Sequence, residues 1–109
     1  MNVLVTGNNG YVGTILTEML IQKGYTVTGL DVDYFKSCTL EIVNQNFRQI
    51  KKDIRKVNIN DIAGFDAIIH LAATVGVKNT ETNPVLTLNT NILGTKNILE
   101  ACKKNNVKK

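Results

Sequence analysis

Three glycines near the start of the chain have the spacing needed to hold a phosphate group. Gly7, Gly10 and Gly13 lie three residues apart in the segment TGNNGYVG, residues 6–13. A pyrophosphate that docks on a helix N-terminus needs main-chain N–H groups directed at it and no Cβ in the way. In such a turn the first glycine permits the tight bend, the second permits close approach, and the third lets helix and strand pack together.

An acidic residue follows the glycines at a distance that suits a dinucleotide. Asp31 ends the second predicted strand, 18 residues beyond Gly13. A carboxylate at this point accepts hydrogen bonds from the adenosine ribose and repels a 2′-phosphate, which selects NAD over NADP. The plain alternative is a glycine-rich turn with an incidental aspartate. The glycine spacing favours a dinucleotide only where a strand precedes it and a helix follows.

Short apolar runs supply the strands that this motif needs. The predicted strands are Val3–Val5, Thr26–Leu30, a shorter run at Phe47–Lys51, and Ala67–Ala73. The last run is apolar without alternation, as expected for a parallel strand covered on both faces.

Helical spacing separates these strands. After the glycines, the periodicity predicts a helix whose buried face contains Val12, Ile15, Leu16, Met19 and Leu20. Gly24 stands where a helix C-terminal glycine is expected. A short helix is predicted at 58–63 and a long one from about Pro84 to about Asn105. The apolar stripe of the long helix is predicted to be Leu88, Ile92, Thr95, Leu99 and Cys102. This alternation predicts an α/β fold, a Rossmann-type doubly wound parallel sheet.

The composition limits the classes of protein to which the chain can belong. The chain has 109 residues and 43% hydrophobic residues, which suits one globular domain. Its net charge of +4 comes from four C-terminal lysines at 103, 104, 108 and 109, so a nucleic-acid partner is not expected. No apolar run approaches the ~20 residues of a membrane span. Cys38, Cys102 and a single histidine make neither a metal site nor a disulfide framework, which suggests reduced thiols in a cytoplasmic protein.

Four ordered motifs resemble the extended short-chain dehydrogenase/reductase superfamily, in its NAD-dependent epimerase/dehydratase branch that acts on nucleotide sugars. The first is the glycine spacing with Thr6 in front of it. The second is 52–55, Lys-Asp-Ile-Arg, which is similar to the family's Gly-Asp-Ile/Leu-Arg, with Lys52 in place of the glycine. The others are 66–73, Asp-Ala-Ile-Ile-His-Leu-Ala-Ala, and Asn83-Pro84 followed by Asn-Ile-Leu-Gly-Thr at 91–95.

The resemblance implies a cofactor site for NAD that spans the whole chain. Asp53 and Ile54 would line the adenine pocket, the segment 71–73 would pass the ribose and nicotinamide, and Asn91 would support the nicotinamide side. Together the glycine motif and the resemblance assign these residues to the cofactor: Gly7, Asn9, Gly10, Tyr11, Val12, Gly13, Asp31, Asp53, Ile54, Leu71, Ala72, Ala73 and Asn91.

Several of these residues also have ordinary structural explanations. On charge pattern alone, Asp53 would be a solvated residue beside Lys52 and Arg55. Asn91 would equally suit a helix surface, and His70 is expected to be a buried, hydrogen-bonded residue rather than a general base. Gly94 inside a helix costs about 1 kcal/mol relative to alanine, and close packing is the usual reason to keep such a residue.

No catalytic residue is predicted in these 109 residues. The family's reaction requires a Tyr-x-x-x-Lys pair, in which the lysine lowers the pKa of a phenol that is otherwise near 10. The residues four positions after Tyr11, Tyr25 and Tyr34 are isoleucine, glycine and cysteine. The chain is therefore expected to be the N-terminal part of an NAD(P)-binding Rossmann domain, truncated after the fourth strand and its helix. The catalytic and sugar-binding portions would lie beyond residue 109, and the chain alone would not turn over substrate.

Truncation at this point would leave the fourth strand at the edge of the sheet. Exposed apolar edges recruit other strands, so self-association through this strand and the last helix is expected.

Three functions fit these observations. The leading one is the NAD-binding part of a nucleotide-sugar epimerase, dehydratase or reductase, which moves a hydride between a sugar carbon and NAD. The second is a non-catalytic, regulatory dinucleotide-binding module that senses NAD. The third is an oxidoreductase for a non-sugar substrate, which would differ only in residues outside this chain.

Overall fold

A computed structural model describes residues 1–34 and 41–109. Cys38, one of the two expected reduced thiols, lies outside the described residues. Four parallel strands form one sheet in the order β3-β2-β1-β4. The strands are β1 (Asn2–Thr6), β2 (Thr26–Asp31), β3 (Phe47–Lys51) and β4 (Ala67–His70). The α/β class and the parallel doubly wound sheet predicted from the sequence are confirmed.

Helical elements connect the strands and extend beyond β4. They are α1 (Tyr11–Gln22), 3-10 turns at Ile54–Lys56 and Ile59–Ile62, α2 (Val77–Thr82), α3 (Pro84–Leu88), a π-helical segment at Asn89–Gly94, and α4 (Thr95–Lys104). The stretch from Pro84 to Lys104 is helical throughout and is called the last helix below. The predicted short helix at 58–63 is the second 3-10 turn, and α2 was not predicted.

Alternation along the strands builds a core on each face of the sheet. Val3, Val5 and Val27 form one cluster, against which Leu20 and Ile21 of α1 pack. The opposite cluster combines the sheet with the 3-10 turns and the last helix, and its buried members are Leu4, Leu30, Ile54, Val57, Ile62, Ile98 and Ala101. The second cluster joins the segment after β3 to the last helix.

The predicted buried face of α1 is confirmed only in part. Val12, Ile15 and Met19 are each at least half exposed, whereas Gly13 and Thr17 are buried. Gly13 decides this orientation, because a Cβ there would lie 2.2 Å from the carbonyl oxygen of Gly7. The helix approaches the glycine loop through Gly13. Of the predicted stripe, Val12, Ile15 and Met19 are exposed, whereas Leu16 is half-buried and Leu20 packs against the core. The predicted end of the helix is confirmed, since Gly24 follows it with φ +86°.

The predicted stripe of the last helix is also largely wrong. Leu88, Ile92 and Leu99 are more than half exposed. The buried positions are Gly94, Ile98 and Ala101, while Thr95 and Cys102 are half-buried. Burial raises the pKa of the Cys102 thiol. Here too the helix packs through small residues, because a Cβ on Gly94 would lie 2.6 Å from Cδ1 of Ile54.

The fourth strand lies at the edge of the described sheet, as expected. It ends at His70 rather than Ala73. Its outer edge already has one partner, because the N–H of Ile68 donates to the carbonyl of Lys109 at 2.9 Å. Within residues 1–34 and 41–109, no helix has both the length and the apolar character of a membrane span.

Candidate functional site

The glycine loop joins β1 to α1 and forms the centre of the candidate site. Gly7 has φ +70°, its N–H donates to Leu30 of β2 at 2.8 Å, and its carbonyl accepts from Gly10 at 3.1 Å. Within the described part of the chain, no side chain caps α1, whose N-cap residue is Gly10. The first-turn N–H groups of α1 have no acceptor within the helix, so this loop offers donors suited to an anion.

A buried amide pair supports the loop from below, and sequence reasoning missed it. Asn8 is 1% exposed and exchanges two hydrogen bonds with Gln49 of β3, at 2.7 and 3.1 Å. Its side chain occupies the space above Gly29, where a Cβ would lie 2.3 Å from the Asn8 amide. The one available signal was Gly29 itself, because a glycine inside a strand often marks a close approach.

The Asp31 carboxylate is held by main-chain donors at the end of β2. One oxygen accepts from the N–H of Asn9 at 3.0 Å, and the other accepts from the N–H of Asp33 at 2.9 Å. Asp33 has φ +59°, and its side chain accepts from the Asn9 amide at 2.5 Å. These contacts orient Asp31 beside the glycine loop, and its remaining lone pairs can accept hydrogen bonds from a ligand.

The turn after β3 carries a second carboxylate. Asp53 accepts hydrogen bonds from the main-chain N–H and the guanidinium of Arg55, at 2.5–3.0 Å. These bonds hold the pKa of Asp53 below its usual range. Lys52, the residue that departs from the family motif, forms a 2.8 Å ion pair with Asp61. Burial raises the pKa of Asp61, but the hydrogen bonds from Lys52 and from the N–H of Asn58 outweigh it, and the net shift is downward.

The segment after β4 approaches the glycine loop from the other side. The N–H groups of Leu71 and Ala72 donate to the carbonyl and hydroxyl of Thr6, at 3.0 and 3.3 Å. A Cβ on Gly7 would lie 2.7 Å from the nitrogen of Ala72. Only glycine therefore fits where the two segments meet.

His70 fastens this segment to the last helix. Its Nδ1 is 2.7 Å from the Thr6 hydroxyl, and its Nε2 is 2.9 Å from the Thr95 hydroxyl. Burial lowers the pKa of His70. Both ring nitrogens have partners, so the predicted hydrogen bonding of His70 is confirmed, although the residue is half-buried and not buried.

Asn91 binds the loop beyond β4 and does not line the cavity itself. Its amide oxygen accepts from the N–H of Thr74 at 2.7 Å, and its amide nitrogen donates to the carbonyl of Thr74 at 2.9 Å. This pairing occurs in the π-helical segment, a geometry that often appears at functional sites. The alternative of a free polar residue on the helix surface is excluded by these bonds.

A cavity of about 570 Å³ lies between the glycine loop, the ends of the strands and the last helix. Such a volume is typical of small-molecule sites. Of the thirteen residues assigned from the sequence, all but Asn91 line it: Gly7, Asn9, Gly10, Tyr11, Val12, Gly13, Asp31, Asp53, Ile54, Leu71, Ala72 and Ala73. Lining residues that sequence reasoning missed include Leu30, Val32, Tyr34, Thr74, Asn79 and Leu86.

The cavity lies where chain connections leave the sheet in opposite directions. β1 is followed by β2 on one side, whereas β4 joins the sheet on the other side of β1. The carboxyl ends of parallel strands at such a switch point are where α/β folds bind ligands. Among the described residues, no three His, Cys, Asp or Glu side chains converge to hold a metal ion. The arrangement offers binding groups, and the imidazole and carboxylates near it are engaged with protein partners.

Comparison with known proteins identifies the family of the chain. The family model described as the NAD dependent epimerase/dehydratase family matches residues 3–109. The chain belongs to the NAD-dependent epimerase/dehydratase family. Its relatives are nucleotide-sugar epimerases and decarboxylases, and the chain matches only the N-terminal part of these proteins. Decarboxylation was not among the reactions predicted from the sequence.

Individual relatives show the extent of the match. A UDP-N-acetyl-alpha-D-glucosaminuronate decarboxylase of Bacillus cytotoxicus is 36% identical, and the alignment covers 93% of this chain and 32% of the relative. One similar solved structure is the UDP-N-acetylglucosamine 4-epimerase of Methanobrevibacter ruminantium M1 in complex with UDP-N-acetylmuramic acid. It is 29% identical with a TM-score of 0.87, and the alignment covers 98% of this chain and 35% of the epimerase.

A second solved structure is MoeE5 in complex with UDP-glucose and NAD. It is 28% identical with a TM-score of 0.84, and the alignment covers 99% of this chain and 34% of MoeE5. This member of the epimerase/dehydratase family thus spans about a third of the length of the relatives it matches.

Proposed function

We propose that this chain binds NAD and forms the cofactor half-site of a nucleotide-sugar epimerase or dehydratase. The observation that carries the proposal is the Asp31 carboxylate, held by the N–H groups of Asn9 and Asp33 beside an uncapped helix N-terminus. This pairing of an anion-binding loop with a ribose-binding carboxylate is specific to dinucleotides. NAD in the solved structure of MoeE5, whose fold this chain shares, supports the choice of cofactor.

The lining residues divide the cofactor between them in this proposal. The pyrophosphate lies over the glycine loop and the start of α1, and the Asp31 carboxylate accepts the adenosine ribose hydroxyls. Asp53 and Ile54 face the adenine. Leu71, Ala72 and Ala73 pass the second ribose and nicotinamide, and Asn91 supports them by holding Thr74. NAD supplies the hydride acceptor, and the chain's own groups bind and orient it.

The sugar chemistry would require residues outside these 109. The relatives are about three times as long, and the sequence holds no Tyr-x-x-x-Lys pair. We propose that the catalytic tyrosine and lysine, and the nucleotide-sugar site, lie in a further segment. Reading the gene beyond codon 109 tests this: an in-frame Tyr-x-x-x-Lys supports the enzyme, and a natural stop codon supports the regulatory dinucleotide-binding module.

A calorimetric titration of NAD and then NADP into the chain tests the cofactor. We expect NAD to bind more tightly than NADP. Asp31→Ala should lower the affinity for NAD by about 10- to 100-fold, the equivalent of ~1.5–3 kcal/mol for hydrogen bonds to a charged group. Asp66→Ala is the matched control, because Asp66 also accepts a main-chain N–H, that of Asn2 at 2.7 Å, at the opposite end of the sheet. Folded chain that binds no NAD would contradict the proposal.

Self-association through the last helix and β4 is a further part of the proposal. It is supported by the apolar side chains that the last helix exposes, Val85, Leu88, Ile92 and Leu99. The contact between Ile68 and Lys109 occupies part of the β4 edge, so the helix is the stronger surface. Sedimentation analysis that finds only monomer across micromolar concentrations would refute it.

We also propose a cytoplasmic location and no nucleic-acid partner. The free, half-buried thiol of Cys102 supports the first, because reduced cysteines suit that compartment. The basic excess confined to the C-terminal lysines supports the second. Fractionation that places the protein outside the cytoplasm, or a DNA or RNA gel shift at physiological salt, would overturn these two statements.

A further inference from the structure

One asparagine of the last helix bonds to the turn after β3 from a position outside the cavity. The Asn97 amide nitrogen donates to the carbonyl of Ile54 at 2.8 Å and to the carbonyl of Val57 at 2.6 Å. Both of its N–H groups are therefore used. The side chain is half-buried and does not line the cavity.

The turn that Asn97 holds carries two cavity-lining residues. Asp53 is the N-cap of the 3-10 turn Ile54–Lys56, and Ile54 is 4% exposed with its side chain in the core. The last helix contacts this turn a second time, since Gly94 packs directly against the Ile54 side chain. The placement of Asp53 and Ile54 thus depends on a helix about 40 residues away in sequence.

Apart from the bonds between Asp53 and Arg55, the turn has little hydrogen bonding of its own. The N–H of Lys56 donates to Asp53 at 2.9 Å, but the N–H of Val57 reaches the Ile54 carbonyl only at 3.4 Å. Hydrogen-bond geometry in 3-10 segments is poorer than in α-helices. The Asn97 amide supplies the short bond to the Ile54 carbonyl.

We propose that Asn97 is a positioning residue for the adenine side of the dinucleotide site. It holds the turn at a fixed distance from the glycine loop, so that the Asp53 carboxylate and the Ile54 side chain face the adenine together. This inference rests on the proposed NAD function. It adds a residue that neither touches the ligand nor belongs to the glycine motif.

The chain offers a matched control for a purely structural role. Asn105, at the end of the last helix, donates its amide to the carbonyl of Ile59 at 2.7 Å and to that of Ala101 at 3.0 Å. Ile59 begins the second 3-10 turn and does not line the cavity. The two asparagines therefore make the same kind of contact to neighbouring turns, only one of which belongs to the site.

The test compares Asn97→Ala, Asn105→Ala and the unaltered chain by calorimetry with ADP-ribose and by urea unfolding. We expect both variants to lose stability and only Asn97→Ala to lose affinity, by about tenfold, the effect of one lost hydrogen bond in the placement of the turn. Asn97→Asp keeps the size of the side chain but removes both donors, so it should lower the affinity for ADP-ribose at least as much as Asn97→Ala does. If Asn97→Ala does not fold, Asn97→Gln keeps both donors on a side chain one methylene longer and should weaken ADP-ribose binding less than Asn97→Asp does.

Each outcome has a separate meaning. A folded Asn97→Ala or Asn97→Asp variant that binds ADP-ribose like the unaltered chain overturns the positioning role while the NAD proposal stands. An equal loss of affinity in Asn105→Ala also overturns it, because general destabilisation then explains the effect. Failure of the unaltered chain to bind ADP-ribose or NAD refutes the proposed function, and the positioning role falls with it.

Discussion

The two sides of the cavity are built to different degrees. On the side of β2 and β3, Asp31 and Asp53 are held by main-chain N–H groups, and Asn97 ties down the turn. On the side of β4, Leu71 and Ala73 are exposed, and α2 buries none of its residues. The first side, the adenine side, is held by several hydrogen bonds, whereas the second, the open side, depends mainly on His70 and Asn91 for its attachment to the last helix. Preorganised groups bind more tightly, so we expect the adenine side to supply most of the affinity.

The largest expected effect comes from breaking the junction between the two sides. Gly7→Ala places a Cβ 2.7 Å from the Ala72 nitrogen at a residue with φ +70°. We expect it to lower the free energy of unfolding by about 2–4 kcal/mol, since a left-handed alanine alone costs ~1–2 kcal/mol.

Gly24→Ala is the control, because it introduces the backbone strain without the clash. Gly24 has φ +86°, but nothing lies within 4 Å of an added Cβ. Urea unfolding should therefore show a loss of only about 1–2 kcal/mol. Equal losses in the two variants would mean that the two segments do not press together at Gly7.

Ligand fragments test the comparison directly. ADP-ribose carries all the groups assigned to the adenine side together with the second ribose, and nicotinamide mononucleotide carries the groups assigned to the open side. We expect ADP-ribose to bind within about threefold of NAD and the mononucleotide to bind at least about 30-fold more weakly, a difference of ~2 kcal/mol. Calorimetry that finds the mononucleotide equal to ADP-ribose would show that the two sides contribute alike.

The smallest effect is a pH dependence on the open side. Burial lowers the pKa of His70 below its ordinary value of about 6.5. Below that value the unfolded chain binds a proton that the folded chain resists, so stability should fall as the pH decreases. Asp53 and Asp61 have lowered pKa values and lose their contribution only in stronger acid, below their ordinary 3.8.

Thermal unfolding between about pH 7.5 and pH 5.5 isolates this contribution. We expect the midpoint to decrease slightly in the unaltered chain and to change less in His70→Gln, which does not titrate. The same slope in both would show that His70 does not govern the stability of this region over that range.

Motif spacing predicted most of the cavity because its residues follow strands closely. Gly7 follows β1, Asp31 ends β2 and Leu71 follows β4, so a correct strand order brings them to one edge of the sheet. Asn8 and Asn97 could not be predicted in this way. Each bonds to a residue at least 40 positions away, and a polar residue at either position is as compatible with a surface as with a buried amide contact.

The sequence by itself determined the order of the elements, the glycine loop, the acidic end of β2 and the family. These depend on local spacing and backbone requirements, such as the need for glycine at Gly7. Only the tertiary structure decided which faces of the helices are buried. Apolar periodicity shows that residues share a face, but the close contacts are made at Gly13 and Gly94, and more than half of the two predicted stripes is left exposed. Because a Cβ would collide with the glycine loop at Gly13 and with Ile54 at Gly94, these small residues, and not the apolar stripes, set the orientation here.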